Sequence, residues 1–413
     1  MVKKAAKKAI TNNSGKKKSV PKAQKKVGST LSVFANKLFG EGTAVAPIEL
    51  KSNIKEVLQI GLPHLERAVV KSVTTGDYGL PMGRAVTIFG PAKVGKTTFA
   101  LEVAKSILLK EGIVIYIDQE RTLTDEYVQK LYGRYGISQS VISENFIMMQ
   151  PSKEMFEKGR RLTIEEIGVR LFAMFKKIRE LRNKYGYFPV VIIWDSISAT
   201  TSEAEVKRMT KKKTTKGDPK YDDAEASEST VKAAQPGSHS KAMRELFREI
   251  YDDVVETGAM LFLVAQKTST IGYGSNTFLT KDAVSFATTV LLYIKRKEWI
   301  EDNGVRVGLK GEIEVRELKG RQPDIKMVEY KILFNEGYNF IYDLDKLVRK
   351  SGLVAATGEA EIAIDDIEFK YKMFDKLGRE FEKLDPEGQH KFVRYFQDNY
   401  KAKTKLQEIM DEE

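Results

Sequence analysis

The sequence predicts an α/β fold with a mostly parallel central sheet flanked by helices. From Ile48 onward, short apolar runs alternate with helical patterns, as in a sheet covered on both faces. The run 86–89 breaks at a Gly-Pro pair, and a helical pattern begins at Lys96. The runs 113–118, 189–195 and 259–265 are each followed by or end in polar residues. In parallel sheets those positions share one edge, where ligands bind.

Residues 90–98 (G-P-A-K-V-G-K-T-T) match the P-loop pattern G-x-x-x-x-G-K-[ST] between a strand and a helix. Backbone N–H groups of such a loop cradle phosphates, Lys96 reaches the outer phosphates and the Thr97 hydroxyl holds Mg²⁺. The sequence therefore predicts a nucleoside triphosphate site. The residues assigned to it here are Gly90, Pro91, Lys93, Gly95, Lys96, Thr97 and Thr98.

Glu120 follows the predicted strand 113–118 and lies 24 residues after Lys96. A carboxylate there suits a general base that orients water toward the γ-phosphate. The alternative is a loop carboxylate that pairs with Arg121.

The run 189–195 is almost wholly apolar and ends in Asp195 and Ser196, which is the Walker-B pattern. Asp195 is expected to join Thr97 around Mg²⁺. The run 259–265 is followed by Gln266, whose amide is predicted to contact both the γ-phosphate and the following loop. The alternative is an amide that only hydrogen-bonds a strand end.

The amino-acid composition excludes several kinds of covalent and metal chemistry. The chain has no cysteine, which excludes disulfides, cysteine-ligated metals and thiol catalysis, and no apolar run long enough to span a bilayer. Of the net charge of +12, residues 1–28 carry ten lysines and no acidic residue. This segment is predicted to be a disordered tail that attracts nucleic-acid phosphates, or one that only aids solubility.

Residues 29–39 form a short amphipathic helical pattern that needs a surface to pack on, either its own core or a neighbouring subunit. Residues 124–185 are predicted to be largely helical. The segments 284–296 and 312–334 are predicted strands, with a hairpin turn near 302–304. Residues 341–413 are predicted to form a small C-terminal domain whose aromatic core is Phe369, Tyr371, Phe374, Phe381, Phe392, Tyr395 and Phe396.

Two segments that follow the Asp195 and Gln266 strands, 201–240 and 267–285, combine lysines, hydroxyls and isolated aromatics. Backbone contacts and a stacking or wedge ring are what single-stranded DNA binding needs. Either segment alone could be an ordinary surface loop, but because both follow nucleotide-sensing strands they are predicted to be DNA-binding loops. The residues assigned to DNA are Lys207, Arg208, Lys211, Lys212, Lys213, Lys267, Tyr273, Asn276 and Phe278.

With these motifs in order, the region 29–353 resembles the bacterial and phage RecA recombinases. The resemblance is carried by G-L-P-M-G-R (79–84) before the P-loop, by I-D-Q-E (117–120) and D-E-Y (125–127), and by W-D-S (194–196). The motifs V-A-Q (264–266), I-L-F-N-E-G (332–337) and K-L-F-G-E-G (37–42) extend it toward both ends.

The resemblance implies a RecA-like ATPase core over 46–340, preceded by an oligomerisation segment over 29–45. It implies ATP and Mg²⁺ at subunit interfaces, with Tyr127 against adenine and a basic residue reaching in from the neighbouring subunit. Lys319 is the candidate for that residue, with Arg316 or Arg321 as substitutes. The implied activity is a DNA-dependent ATPase that forms a helical filament on single-stranded DNA and exchanges strands with homologous duplex.

The sequence departs from the family pattern in its long first loop, in Lys281-Asp282 where the second loop has a glycine pair, and in its lysine tail. These departures favour a divergent, phage-type member in the cytoplasm of a bacterium or phage-infected bacterium, associated with the nucleoid. Two rival functions are a hexameric RecA-type helicase and a DNA-coating protein that uses ATP only as an assembly clamp.

Overall fold

The structure is a computed structural model that describes residues 54–157, 160–206, 237–268, 277–278, 281–320, 322–353, 360–364, 367–371 and 374–400. The predicted lysine tail and N-terminal oligomerisation segment lie outside these residues. The aromatic side chains predicted at Phe369, Tyr371 and Phe374 also lie outside the described side chains.

The first half of the described chain alternates strands and helices. Its elements are β1 (Val57–Leu58), α1 (Pro63–Val69), β2 (Val70–Lys71), β3 (Tyr78–Pro81), β4 (Ala85–Gly90), α2 (Lys96–Leu108), β5 (Ile113–Asp118), α3 (Asp125–Gly133), α4 (Gln139–Asn145), β6 (Phe146–Met149), α5 (Lys153–Glu157), α6 (Ile164–Tyr185) and β7 (Val190–Asp195). A single 3₁₀ turn, Ile197–Ala199, follows β7.

The second half is richer in strands. Its elements are α7 (Ser238–Thr257), β8 (Met260–Thr268), β9 (Thr277–Phe278), α8 (Lys281–Ser285), β10 (Thr288–Asp302), β11 (Val305–Leu318), β12 (Met327–Leu333), β13 (Gly337–Tyr338), α9 (Phe340–Lys350), β14 (Ala360–Ile364), β15 (Ile367–Tyr371), α10 (Phe374–Glu382) and α11 (Pro386–Asp398). None of the helices that the structure describes is long and apolar enough to cross a membrane.

The main sheet has the strand order β13-β12-β11-β10-β4-β8-β7-β5-β6, with β9 added to β8. The six strands from β10 to β6 in that order run parallel, and β11 to β13 continue the sheet antiparallel. The predicted α/β class with a mostly parallel sheet is confirmed.

Both faces of the sheet are buried, as near-continuous apolar strands require. Along β4, Val86 and Ile88 join the core beneath α2, whereas Phe89 points to the opposite face and packs with residues of α6 and α7. The two helical layers therefore hold the strand that delivers the P-loop from both sides.

Helix α6 shows how local sequence sets an element's limits. Thr163 and Glu166 form a reciprocal capping box at its start, and Gly186 follows its end with φ of 86°. The prediction that 124–185 is largely helical is confirmed, although the strand β6, which was not predicted, interrupts the segment. β6 has only four residues and is stabilised by parallel pairing with β5, which no local pattern reveals.

The predicted hairpin is confirmed between β10 and β11. Asn303 and Gly304 have φ of 50° and 78°, the left-handed values that a two-residue turn of this kind needs. β10 runs to Asp302 rather than ending at Arg296. The predicted loop 267–285 is also shorter than expected, because β8 continues to Thr268 and α8 begins at Lys281.

The C-terminal helices α9, α10 and α11 share a small core in which Phe381, Phe392 and Phe396 are buried, as predicted. The hairpin of β14 and β15 was not expected from the sequence. α11 packs on α1: Arg67 Nε donates to the Gln397 carbonyl at 2.7 Å, and Gln397 Nε2 donates to the Pro63 carbonyl at 2.9 Å.

Candidate nucleotide and nucleic-acid site

The loop between β4 and α2 has the backbone that a phosphate cradle needs. Gly95 has φ of 96° and Lys93 has φ of 58°, so two residues of the loop lie in the left-handed region. A Cβ at Gly90 would overlap the Ile294 carbonyl, and one at Gly95 would overlap Ile332 Cδ1. Glycine is therefore required at both positions, and the loop leads directly into the N-terminus of α2.

Lys96 is folded back onto the loop. Its Nζ donates to the Gly90 carbonyl at 3.1 Å and to the Pro91 carbonyl at 2.5 Å, and the side chain is almost completely buried. Burial lowers the pKa of Lys96, although Asp195 and Glu120 oppose the shift. The ammonium group thus stands inside the loop, where it can meet an anionic phosphate.

Asp195 ends β7 beside the start of α2. Its Oδ2 accepts hydrogen bonds from Thr97 Oγ1 and from Tyr116 OH, both at 2.8 Å. Burial raises the pKa of Asp195 to about 6, because these two hydrogen bonds offset only part of the desolvation. A hydroxyl and a carboxylate are hard oxygen ligands, so Thr97 and Asp195 fit Mg²⁺ in chemistry and position.

Glu120 lies in a polar cluster contributed by three neighbouring strands. Its Oε1 accepts from Ser196 Oγ at 2.6 Å and from Gln266 Nε2 at 2.8 Å. The loop after β5 is held by Asp118, which accepts the backbone N–H groups of Arg121 at 2.6 Å and Leu123 at 3.2 Å. Glu120, Ser196 and Gln266 are therefore brought together as the sequence predicts.

The register of the sheet explains this convergence. Gly90 of β4 pairs with Gln266 of β8, and Asp118 of β5 pairs with Asp195 of β7. Asp195 pairs with Val264, two residues before Gln266. Since all four strands are parallel, the P-loop, the aspartate and the glutamine reach the same edge of the sheet within two residues of one another.

Tyr127 and Lys319 lie outside this cluster. Tyr127 is in the first turn of α3, partly buried against the main core. Lys319 follows β11, and its Nζ donates to the Phe286 carbonyl at 2.8 Å. The role predicted for Lys319 is a contact with ATP bound to a neighbouring subunit. A single chain does not test that contact, and it stays a prediction.

Most residues assigned to DNA, namely Lys207, Arg208, Lys211, Lys212, Lys213, Tyr273 and Asn276, lie outside the described residues. Lys267 is on β8 opposite Phe278. Phe278 differs from the expectation of a ring exposed in a loop. It is 3% exposed and packs on Phe89, with ring centroids 4.9 Å apart, because β9 pairs it onto the sheet.

A basic surface on α7 was not found from the sequence. The exposed side chains of Lys241, Arg244 and Arg248 line a cavity of about 370 Å³ beside Ser240, at the start of the helix. Among the described residues, Lys241 is paired with Glu245 at 3.8 Å, and no carboxylate lies within ion-pair distance of the two arginines. The sequence does contain a signal for this surface, because the three basic residues are spaced so that they fall on one side of a helix. We call Lys241, Arg244 and Arg248 the α7 basic face.

The fold and the loop define a P-loop α/β protein. A sequence model of the RecA N-terminal domain matches residues 26–154. Protein RecA of Methylobacterium radiotolerans is 26% identical over 290 residues, which cover 69% of this chain and 66% of that protein. The RecA proteins of Bartonella bacilliformis and Bartonella quintana are 27% and 28% identical over 324 residues, 78% of each chain. The chain is therefore similar to the RecA N-terminal domain over residues 26–154 and to RecA proteins over 69–78% of its length.

Proposed function

We propose that this protein is a DNA-dependent ATPase that forms a helical filament on single-stranded DNA and catalyses pairing and strand exchange with homologous duplex. One observation carries the proposal: Glu120 shares a hydrogen-bonded cluster with Gln266, and Gln266 stands near the end of the strand that leads to the second predicted DNA loop. A cluster of this kind links a phosphate-sensing amide to a water-activating carboxylate.

The chemistry follows from the positions of the side chains. Lys96 and the loop N–H groups bind the phosphates of ATP, and Thr97 with Asp195 would hold Mg²⁺. Bound Mg²⁺ would neutralise charge on the phosphate oxygens. Glu120 orients the attacking water and accepts its proton, while Ser196 and Gln266 fix the orientation of the carboxylate.

DNA binding is assigned to two kinds of surface. The α7 basic face offers two guanidinium groups that pair with no carboxylate among the described residues, and these can contact the phosphate backbone without reading bases. The predicted loop residues, and the lysine tail for duplex DNA, would add further contacts. Such binding should weaken steeply as salt rises, because each neutralised phosphate releases counterions.

Filament assembly is part of the same proposal. Residues 29–45 would pack on a neighbouring subunit, and Lys319 would reach across the interface toward ATP. The RecA relatives favour a cytoplasmic protein that acts on the DNA of a bacterium or phage-infected bacterium. Tyr127 would contact adenine.

The test is ATP-dependent strand exchange between homologous DNAs, with Glu120→Gln as the diagnostic variant and Glu126→Gln, on the exposed side of α3, as the matched control. Loss of a general base should lower turnover by about 10²–10⁴-fold. Filaments of Glu120→Gln on single-stranded DNA should persist, because Lys96 and Thr97 still bind ATP.

Other outcomes would reject the proposal. Unwinding of a forked duplex by closed rings would identify the hexameric helicase instead. Filaments with no DNA-stimulated phosphate release in the unaltered protein would identify a coating protein that uses ATP as a clamp.

A further inference from the structure

A line of hydrogen bonds runs from Glu120 to the first turn of α7. Ser196 Oγ donates to Glu120 Oε1 at 2.6 Å, and the Ser196 carbonyl accepts from Thr200 Oγ1 at 3.1 Å. The Thr200 carbonyl lies 2.8 Å from His239 Nε2. A carbonyl can only accept, so Nε2 carries the hydrogen and donates.

The middle of this path is shielded from water. Ser196, Thr200 and His239 are 0%, 2% and 6% exposed. Trp194 Nε1 donates to Thr200 Oγ1 at 2.9 Å and fixes the threonine side chain. Buried hydrogen bonds without competing water keep their geometry, because a broken one leaves a costly unpaired group. A displacement of His239 therefore shifts Thr200 and Ser196 with it, because no water molecule can replace the hydrogen bonds between them.

The turn between Ser196 and Thr200 also touches the phosphate-sensing strand. The Gln266 backbone N–H donates to Ser198 Oγ at 3.0 Å, and the Gln266 side chain donates to Glu120. Glu120 is thus held from two directions, once directly by Gln266 and once through the turn that His239 contacts.

The far end of the path is the helix that carries the α7 basic face. His239 lies between Gly237 and Ser240, both of which line the cavity beside the α7 basic face. Binding of a polyanion to Arg244 and Arg248 applies a force to α7. The buried hydrogen bond from His239 to the Thr200 carbonyl connects the start of that helix to the sheet edge that carries Glu120.

We propose that the path through Ser196, Thr200 and His239 couples binding of a single-stranded polynucleotide backbone on the α7 basic face to the position of Glu120. This coupling reaches Glu120 through the Ser196 side chain, in addition to the direct contact from the Gln266 side chain. His239 and Thr200 are positioning residues that act through Ser196. The inference rests on the proposed function, because it requires that DNA stimulates ATP turnover.

The experiment measures two ratios on the full chain. The probe is oligo-dT, a single-stranded oligonucleotide of uniform sequence. The first is the DNA-stimulated over the DNA-free turnover of ATP. The second is the affinity for oligo-dT with a slowly hydrolysed ATP analogue over the affinity without it. Coupling between two binding sites is commonly about 5- to 150-fold, so the affinity ratio measures it directly. The turnover ratio measures its effect on the position of Glu120.

Two variants break the path at different bonds. His239→Leu removes the donor to Thr200, and Thr200→Val removes the hydroxyl that bonds Ser196 and Trp194 while keeping the side-chain shape. Two variants restore the groups: His239→Gln supplies an amide N–H, and Thr200→Ser keeps the hydroxyl. Met243→Leu is the packing control, because Met243 is fully buried on the same helix and contributes to the apolar core.

We expect both ratios to fall by about fivefold or more in His239→Leu and Thr200→Val, with DNA-free turnover reduced less than DNA-stimulated turnover. The ratios should recover in His239→Gln and Thr200→Ser and stay normal in Met243→Leu. Melting temperatures measured in parallel identify any variant that has unfolded, and the second broken bond then supplies the result.

Unchanged ratios in both path-breaking variants would overturn the inference. An equal loss in Met243→Leu would also overturn it, since the effect would then come from packing of α7. If the unaltered protein shows no DNA stimulation at all, the proposed function itself fails, and this result is distinguishable from the other two.

Discussion

The buried carboxyl group of Glu66 is expected to make the free energy of unfolding depend on pH. The direction and size of that dependence follow from its burial and its hydrogen bonds. The carboxyl group is 3% exposed, and its Oε1 accepts backbone N–H groups of Ile60, Gly61 and Leu62 at 2.6, 2.9 and 3.2 Å. Burial nonetheless raises the pKa of Glu66 from an ordinary 4.5 to about 7, because the hydrogen bonds offset only part of the desolvation.

The folded protein therefore keeps this proton between pH 4.5 and about pH 7, where the unfolded chain has lost it. Because the folded state binds more protons there, the free energy of unfolding falls as pH rises through that window. A shift of this size corresponds to about 3 kcal/mol, at 1.36 kcal/mol per unit. Above pH 7 Glu66 is ionised in the folded protein, and the full cost of burying its charge lowers the free energy of unfolding.

Glu66→Gln removes the titration while keeping an amide oxygen that can accept the three N–H groups. The variant should be more stable relative to the unaltered protein at pH 8 than at pH 4.5, by about 3 kcal/mol. Urea unfolding at a series of pH values measures this difference. Glu126→Gln, an exposed carboxylate, is the control. Equal pH profiles for Glu66→Gln and the unaltered protein would refute the reasoning.

Three further predictions concern the candidate site. Gly95→Ala should lose nucleotide binding in a fluorescent-nucleotide titration while the protein stays folded, because a Cβ would meet Ile332 and φ of 96° disfavours alanine; tight binding would contradict the cradle. Tyr116→Phe should raise the Mg²⁺ concentration needed for half-maximal nucleotide binding several-fold, since Asp195 loses one of two orienting hydrogen bonds; an unchanged requirement would show that Thr97 suffices. Arg248→Gln should weaken oligonucleotide binding regardless of sequence and reduce the salt slope by about 1; an unchanged slope would remove Arg248 from the DNA surface.

The candidate site was predictable because its residues stand at the ends of apolar strands. Parallel strands end at a common edge, so Glu120, Asp195 and Gln266 could be placed beside the P-loop without knowledge of the strand order. The local patterns for the P-loop and for the Asn303-Gly304 turn carry their own backbone requirements, and both are seen in the structure.

What could not be predicted depends on pairing between distant residues. Phe278 is in a polar segment, and only its pairing through β9 buries it against Phe89. β6 is too short to show a strand period and exists because β5 is beside it. His239 carries no motif, and its contact with Thr200 follows from the packing of α7 at the edge of the sheet.

The packing of α11 on α1 has a consequence for how the protein is made. Arg67 and the Gln397 carbonyl that it contacts are separated by 330 residues. At about 5–20 residues per second, synthesis of that interval takes roughly 20–70 s. Throughout that time α1 has emerged from the ribosome but lacks its C-terminal partner. The strand and the helix that flank the P-loop are therefore synthesised well before α11, which packs on α1.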